Sequence, residues 1–417
     1  MKDGSPSELK PTLGLLDATA IGIGAIIGGG IFVVTGIVAG LAGPGLVVSI
    51  ILAAAVAALT ALSFVELTAW LPKEGSVYEF AHRLISPFAG FLTGWMWIVS
   101  NTFIGAAVAL GFSYYFVALV PAVNPRLIAA AMCVLFTLFN YVGVRHSATL
   151  NNVLVSTKVL ILLVFTFFGA FHINQSNFAP LITSGTGVLQ GAYFIFFAYG
   201  GFGRVAVIAE EVKDARRTVP RSIVLALAIS TAIYVLVGTV AVGLVGAQNL
   251  ARSESPLAEA INIVGNQALT SIVSMGGMVA TATVLLTSIL GVSRMAFAMA
   301  RREDLPKAVR RLHSRYGTPH ISILIVGVLT TLLALFVDLT GVVGVSTFAL
   351  LFYYALANLS ALRLGSDAAL YPKALPAAGL ATCVILLIFV ELPALEIGAA
   401  CLAFGALYYT IREKRKQ

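Results

Sequence analysis

Charge is scarce in this sequence. Lys, Arg, Asp and Glu make up 11% of the 417 residues, against 59% hydrophobic residues. A soluble protein of this length needs more charge than that. The apolar runs recur along the whole chain, so the composition describes a polytopic membrane protein, not a soluble domain on one anchor. Cysteine is nearly absent too: Cys133, Cys383 and Cys401 all lie inside apolar runs. They read as interior residues, which excludes a disulfide framework and a thiolate metal site. The five histidines, His82, His146, His172, His313 and His320, fall in loops or at the ends of runs, and no HExxH pattern occurs. That removes the common intramembrane metalloenzyme pattern, and no enzymatic activity or organic cofactor is expected. No phosphate-binding glycine loop is present, so direct drive by ATP is excluded. Neither a repeated pore segment nor a ring of charges marks an ion channel. The polar start, MKDGSPSELK, followed by a long apolar run, does not have the form of a cleavable signal peptide.

What is present is a series of apolar stretches long enough to cross a bilayer. Twelve are expected, at 13–42, 44–71, 88–120, 127–145, 151–172, 187–211, 221–247, 268–300, 320–339, 341–363, 374–392 and 394–411. The fold class is therefore all-α. The third and eighth spans are long, which predicts tilt or extension beyond the bilayer. The polar stretch 248–267 predicts a short surface helix. With the N-terminus inside, all but four of the 26 basic residues fall on the cytoplasmic side. This asymmetry fits the positive-inside rule and puts both termini in the cytoplasm of a cell-membrane protein. It also accounts for the net charge of +8 as a match to anionic lipid, with no nucleic-acid partner implied. The basic stretch RREDLPKAVRRLHSRYG reads, on the same grounds, as a solvated loop.

The first span contains GIGAIIGGGIF, Gly22 to Phe32. Each glycine costs about 1 kcal/mol relative to alanine in a helix interior. Three in a row, Gly28, Gly29 and Gly30, predict a broken helix at mid-depth, where lipid cannot satisfy freed backbone groups. The sixth span carries a similar interruption at Gly200, Gly201 and Gly203. Five spans separate the two starts, so the two segments face opposite ways. Paired glycine interruptions in corresponding positions point to a transporter site between inverted repeats. The half-helix after Gly30 offers free N–H groups and a positive dipole end to a carboxylate. The carbonyls at Ile26 and Phe197 suit an ammonium, so the pair of breaks fits an α-amino acid. Against this stands small-residue packing, since Gly24/Gly28 and Gly36/Gly40 both read GxxxG.

Three motifs carry a family resemblance. They are IGGGIF in span one, LSFVELTAWLPKEGSVYEF at 62–80, and FFAYGGFGRVAVIAEEVKDARRTVPRSI at 196–223. SRMAFAMARREDLPKAV followed by TP, at 293–319, fits the same family after span eight. The chain resembles the amino acid–polyamine–organocation (APC) superfamily, whose members have the LeuT-type fold. The resemblance implies spans one to five (13–172) and six to ten (187–363) as inverted repeats with the first and sixth helices broken. Spans eleven and twelve (374–411) are then accessory, and 1–12 and 412–417 are tails. It implies a substrate carboxylate at Gly28, Gly29 and Gly30. It implies an ammonium near the carbonyls of Ile26, Phe197 and Gly200, with Tyr199 in the same segment. Phe197 falls at an aromatic gate position of some relatives, or is a plain wall residue.

Lys158, in NNVLVSTKVLILLVFTFF, places an ammonium inside span five. Intramembrane charges are functional by default, although a lysine near a span end can snorkel. Some members resembling this chain carry a lysine here in place of a sodium ion. Desolvation penalises the charged form, so Lys158 becomes the expected coupling residue of proton symport, or a fixed positive charge in exchange. Protons are the only coupling species this implies. Thr287 and Ser288 of span eight are possible neighbours. Arg204 departs from the family pattern: it is expected to pair with Glu66 or Glu210, at a gate or as a structural ion pair, with contact to an acidic substrate as the alternative. The substrate expected is an amino acid, with exchange or carriage of polyamines and other organic cations as the alternatives. The number of copies in the assembly stays open.

Overall fold

The computed structural model describes residues 12–71, 76–143, 148–203, 212–365 and 367–415. Among the described residues all extended regular elements are helical, and the one β-bridge joins Leu13 to Val212. The helices are α1 (Leu15–Ile26), α2 (Gly30–Ala42), α3 (Leu46–Trp70), α4 (Ser76–Leu84), α5 (Pro87–Leu119), α6 (Pro125–Val142), α7 (Ala148–Ala170) and α8 (Gly185–Phe196). They continue with α9 (Ala215–Val245), α10 (Ala247–Arg252), α11 (Pro256–Asn262), α12 (Gln267–Arg301), α13 (His320–Phe336), α14 (Leu339–Leu362), α15 (Ala374–Ile388) and α16 (Leu392–Lys414).

Their ends follow local chemistry. Pro87, Pro125 and Pro256 occupy first positions, where a missing N–H costs nothing. Ser86, Asn124, Asn266 and Asp338 each accept from a backbone N–H of the turn they start. Gly143 ends α6 in the left-handed region at φ 79°, which glycine adopts without a Cβ penalty. At Gly43, φ 60°, the chain turns sharply through Pro44 and Gly45 and separates α2 from α3.

Within the described residues the apolar stretches expected from sequence coincide with helices to within a few residues; the end of the sixth, 204–211, lies outside them. The first is the pair α1 and α2, and the sixth is α8 followed by a 3₁₀ turn, Phe197–Tyr199. Among the described residues, eight runs are long and apolar enough to cross a membrane, with Gly30–Trp70 counted as one bent run. α1, α13 and α15 are shorter apolar helices. α5 and α12 have 33 and 35 residues, as the long third and eighth spans predicted. Large apolar side chains such as Leu127, Phe167 and Phe336 stand exposed on the flank, the distribution a lipid solvent favours. Within, α5 packs extensively against α12 and α14, and α1 against α9.

The 248–267 stretch differs from its expectation. It forms two short helices, and Leu250, Leu257, Ala260 and Ile261 are buried. The reason is α2: Gly36 and Gly40 lie against α10, where an added Cβ would stand 2.9 Å from Leu250 O and 3.3 Å from Ala251 Cβ. These glycines serve close packing, as does Gly24, which abuts Val155 of α7.

Candidate functional site

The first helix stops at Ile26. Ile27 has a non-helical ψ of 71°, and Gly28 N–H donates to Ile26 O at 2.8 Å. Helix resumes at Gly30, with Gly29 as its cap. The N–H groups of the first turn of α2 have no carbonyl within the helix to bond. In the sixth stretch, α8 ends at Phe196, the 3₁₀ turn follows, Gly200 N–H donates to Phe197 O at 3.3 Å, and helical backbone resumes at Gly203.

The two breaks cross in contact. A Cβ on Gly201 would lie 1.9 Å from Ala25 O, and one on Gly30 would lie 2.6 Å from Ala198 Cα. Only glycine permits backbone to meet backbone this closely. Beside the crossing is a small cavity, with about 40 Å³ open to the centres of water-sized spheres. Ile26, Gly28, Gly29, Gly30, Phe197 and Gly200 all line it, so the structure brings these six sequence-derived residues together. Tyr199 does not line it. Its ring packs 5.3 Å from that of Tyr234 instead. Ala25, Ala198 and Gly201 line it too, and the rest of the wall comes from α5 and α12, through Asn101, Ile104, Val108 and Val284.

The carbonyls at the crossing already hold donors. Ile26 O accepts from Gly28 N and, at 2.7 Å, from Tyr234 Oη. Both of its lone-pair directions are occupied. Tyr234 Oη also lies 3.2 Å from Ala198 O, so one hydroxyl of α9 ties the two breaks together. Tyr354 Oη of α14 donates to Gly200 O at 2.9 Å. Among the described residues, Phe197 O and Gly200 O each show one such donor outside regular helix bonding. Tyr234→Phe removes only the tie. It is expected to cost about 1–3 kcal/mol, because Ala198 O is left buried, and to reduce transport without loss of the folded protein. Thermal unfolding and uptake by the purified variant check this; native values in both would show the tie to be idle.

Lys158 is 2% exposed. Its Nζ lies 3.3 Å from Gly24 O of α1 and 3.3 Å from Thr283 Oγ1 of α12. The ammonium therefore bridges α7 to the half-helix that ends at the first break, one turn from Gly28. Thr287 stands one turn beyond Thr283 on the same face, with its hydroxyl on Thr283 O at 3.0 Å. Ser288 is buried, and its Oγ has no hydrogen-bond partner among the described residues.

Arg204 and Glu210 lie outside the described residues. Glu66 is 1% exposed, and its Oε1 accepts from Leu370 N at 2.9 Å and Tyr371 N at 2.7 Å. This carboxylate pins the connection between α14 and α15, and the two amides satisfy one of its oxygens.

Two unwound segments back to back, a cavity between them and a buried ammonium beside one of them form the core of a carrier for a small solute. A family model for amino acid permeases matches residues 13–403. The chain belongs to the amino acid permease family, within the APC superfamily. An uncharacterized transporter of Mycobacterium tuberculosis is 38% identical to this permease over 411 residues, 98% of this chain and 92% of its own. The branched-chain amino acid permease of Bacillus subtilis is 32% identical over 353 residues, 80% of this chain and 76% of its own. A methylthioribose transporter of the same organism is 34% identical over 352 residues, with the same two coverages.

Sequence reasoning about the permease missed Tyr234, Tyr354, Thr283 and Asn101. Tyrosines and threonines are common in apolar helices, and nothing local distinguishes one that reaches a freed carbonyl. Asn101 had a signal: an amide inside an otherwise apolar third span.

Proposed function

We propose that this permease is a secondary active transporter of amino acids in the cell membrane, working by alternating access and coupled to protons through Lys158. The carrying observation is the position of the Lys158 ammonium, which bonds Gly24 O in the half-helix that ends at the substrate cavity. Movement of that half-helix and charge on Lys158 are linked, because a neutral amine holds the carbonyl more weakly than an ammonium does. The carboxylate of the substrate is taken by the first-turn amides of α2. Its ammonium is taken by Phe197 O and Gly200 O. Among the described residues that line the cavity there is no Asp or Glu, which favours an amino acid over a polyamine as cargo. The basic residues favour cytoplasmic termini.

The test is uptake of a radiolabelled neutral amino acid mixture into liposomes, with and without an inward proton gradient, by the native protein and by Lys158→Ala and Lys158→Gln. Gradient-driven uptake in the native protein that loses its dependence on the gradient in both variants is the expected result. Uptake indifferent to pH but driven by amino acid loaded inside would replace symport by exchange, with Lys158 as a fixed charge. No amino acid uptake in either condition would remove the substrate reading.

A further inference from the structure

α6 and α13 pack against each other, and a groove of about 260 Å³, by the same measure as the substrate cavity, runs between them. The two helices are antiparallel. Arg126 Nη1, at the start of α6, donates to Leu335 O near the end of α13. Gly327 meets Thr137 further along, where an added Cβ would stand 2.3 Å from Thr137 Oγ1. Gly327 has no side chain, so the groove lies over it. The walls are Val134 and Leu138 on α6 and Leu324, Val328 and Leu332 on α13. All five are exposed, between 44% and 57%. Thr137 and Thr331 also line the groove, and their hydroxyls donate to Cys133 O at 2.6 Å and Gly327 O at 2.7 Å. The lining residues therefore present no free side-chain donor, and the surface is that of hydrocarbon.

The length of the groove fits one acyl chain. Leu324 to Leu332 spans about 12 Å at 1.5 Å per residue, against about 15 Å for one leaflet, half of a ~30 Å hydrocarbon core. At this depth the solvent is lipid. One end of the groove has a basic foot. Leu138 is one turn from Tyr141, and Leu324 is one turn from His320, where α13 starts. The Tyr141 ring lies 5.3 Å from that of His313 and 6.2 Å from that of Tyr316. Thr318 Oγ1 donates to Tyr141 O at 2.8 Å, and Ser322 Oγ donates to Val309 O at 2.9 Å. These contacts hold the stretch 305–320 against the foot of both helices. It carries Lys307, Arg310, Arg311 and Arg315, all exposed, and no Asp or Glu. Among the described residues none of the four makes a salt bridge. Leu312, between two of these arginines, is 54% exposed. An exposed leucine among cations, with tyrosines one turn from the groove, is the composition of a headgroup interface.

We propose that the groove between α6 and α13 is a site for one anionic phospholipid, in the leaflet that the basic stretch faces. An acyl chain lies over Gly327. The headgroup is held by Arg315, which stacks 5.4 Å from the Tyr316 ring, and by Arg311. Basic pockets between helices at a membrane surface select negative headgroups by charge. Both helices also pack on α5 and α12, which carry the far wall of the cavity, so an occupied groove braces that wall from behind.

The test is native mass spectrometry and thermal unfolding of the full-length protein in detergent, with dioleoylphosphatidylglycerol or dioleoylphosphatidylcholine added at equal concentration. The expected result is one phosphatidylglycerol retained per chain, and an unfolding midpoint higher by about 2 °C or more than with phosphatidylcholine. Val328→Phe fills the groove from its lipid-facing wall and is expected to lose both the retained lipid and the gain. Arg311→Gln with Arg315→Gln is expected to bind the two lipids equally. Equal gain from both lipids in the native protein overturns the proposal. Retention of phosphatidylglycerol by Val328→Phe at the native level places the lipid elsewhere and overturns it too. So does a native mass of two chains without lipid that Val328→Phe converts to one, since the occupant is then a second copy. Where Val328→Phe is not recovered folded, Val134→Phe on the opposite wall decides.

Discussion

Gly201→Ala is expected to abolish transport and to destabilise the permease, whereas Gly200→Ala, one residue earlier, is expected to leave a folded carrier with reduced activity. The contrast lies in what each new methyl would meet. At Gly201 it would lie 1.9 Å from Ala25 O, 2.2 Å from Ala25 C and 2.8 Å from Ile26 N. All three are backbone atoms at the end of α1, and no rotamer change moves them. The two unwound segments have to separate, and separation costs the Tyr234 bonds to Ile26 O and Ala198 O as well as the contact of Gly30 with Ala198. At Gly200 the methyl would meet Leu350 Cδ2 at 3.0 Å, the tip of a side chain that can turn aside. Overpacking of a tight site costs about 1–3 kcal/mol when side chains absorb it, and more when the backbone must move. Thermal unfolding in detergent, with uptake in liposomes, separates the two. Native-like uptake by Gly201→Ala would show that the segments do not need to touch during transport.

That crossing was legible in the sequence for a definite reason. Three adjacent glycines in an apolar run contradict helix propensity, and a second contradiction in the sixth span repeats the first. Lys158 was legible for the same kind of reason, a charge where lipid forbids one. Partners that are remote in sequence, or are backbone, were not legible. Glu66 is an intramembrane acid, and its type alone suggested a gate or an arginine partner. Two amides more than 300 residues away, at Leu370 and Tyr371, hold its Oε1, and Arg204, the suggested partner, lies outside the described residues. Thr287 and Ser288 were the neighbours considered for Lys158, and Thr283, one turn before Thr287, lies 3.3 Å from its Nζ. A one-turn offset is beyond a reading that fixes helix ends only to within a few residues. The 248–267 stretch looked like surface because it is polar on average, while its few apolar residues are the ones that dock on the glycines of α2.

The basic stretch that follows α12 was read as a solvated loop; Arg301, Arg302 and Glu303 are exposed, and Asp304 among them is buried. Asp304 is 7% exposed and accepts from both Tyr78 Oη of α4 and Arg412 Nη1 of α16. Arg302 binds Glu79 of α4, which also holds Arg83 at 2.6 Å, and stacks 5.6 Å from the Tyr78 ring. Arg412 stacks 4.7 Å from the Tyr409 ring. Three elements distant in sequence meet on one carboxylate. Burial, and then the bond to Asp304, push the Tyr78 phenol well above its usual range, so it stays a donor at any working pH. Asp304→Ala leaves that donor buried at 3% exposure without its acceptor, and leaves Arg412 with Glu413 as its remaining salt-bridge carboxylate, at 2.7 Å. Breaking one partner of a buried pair costs about 3–5 kcal/mol. The Arg412 side chain is 14% exposed and keeps Glu413, so the low end, about 3 kcal/mol, is expected. Asp304→Asn retains an acceptor for the phenol and should lose less. The double variant Asp304→Ala with Arg412→Leu should recover part of the loss, because the stranded guanidinium is gone. The check is a double-mutant cycle on thermal unfolding. Coupling below about 0.5 kcal/mol, as for exposed pairs, would return the cluster to the solvated surface. Strong coupling would make Asp304 the anchor by which α16, in the twelfth span, is held to the helices that carry the cavity.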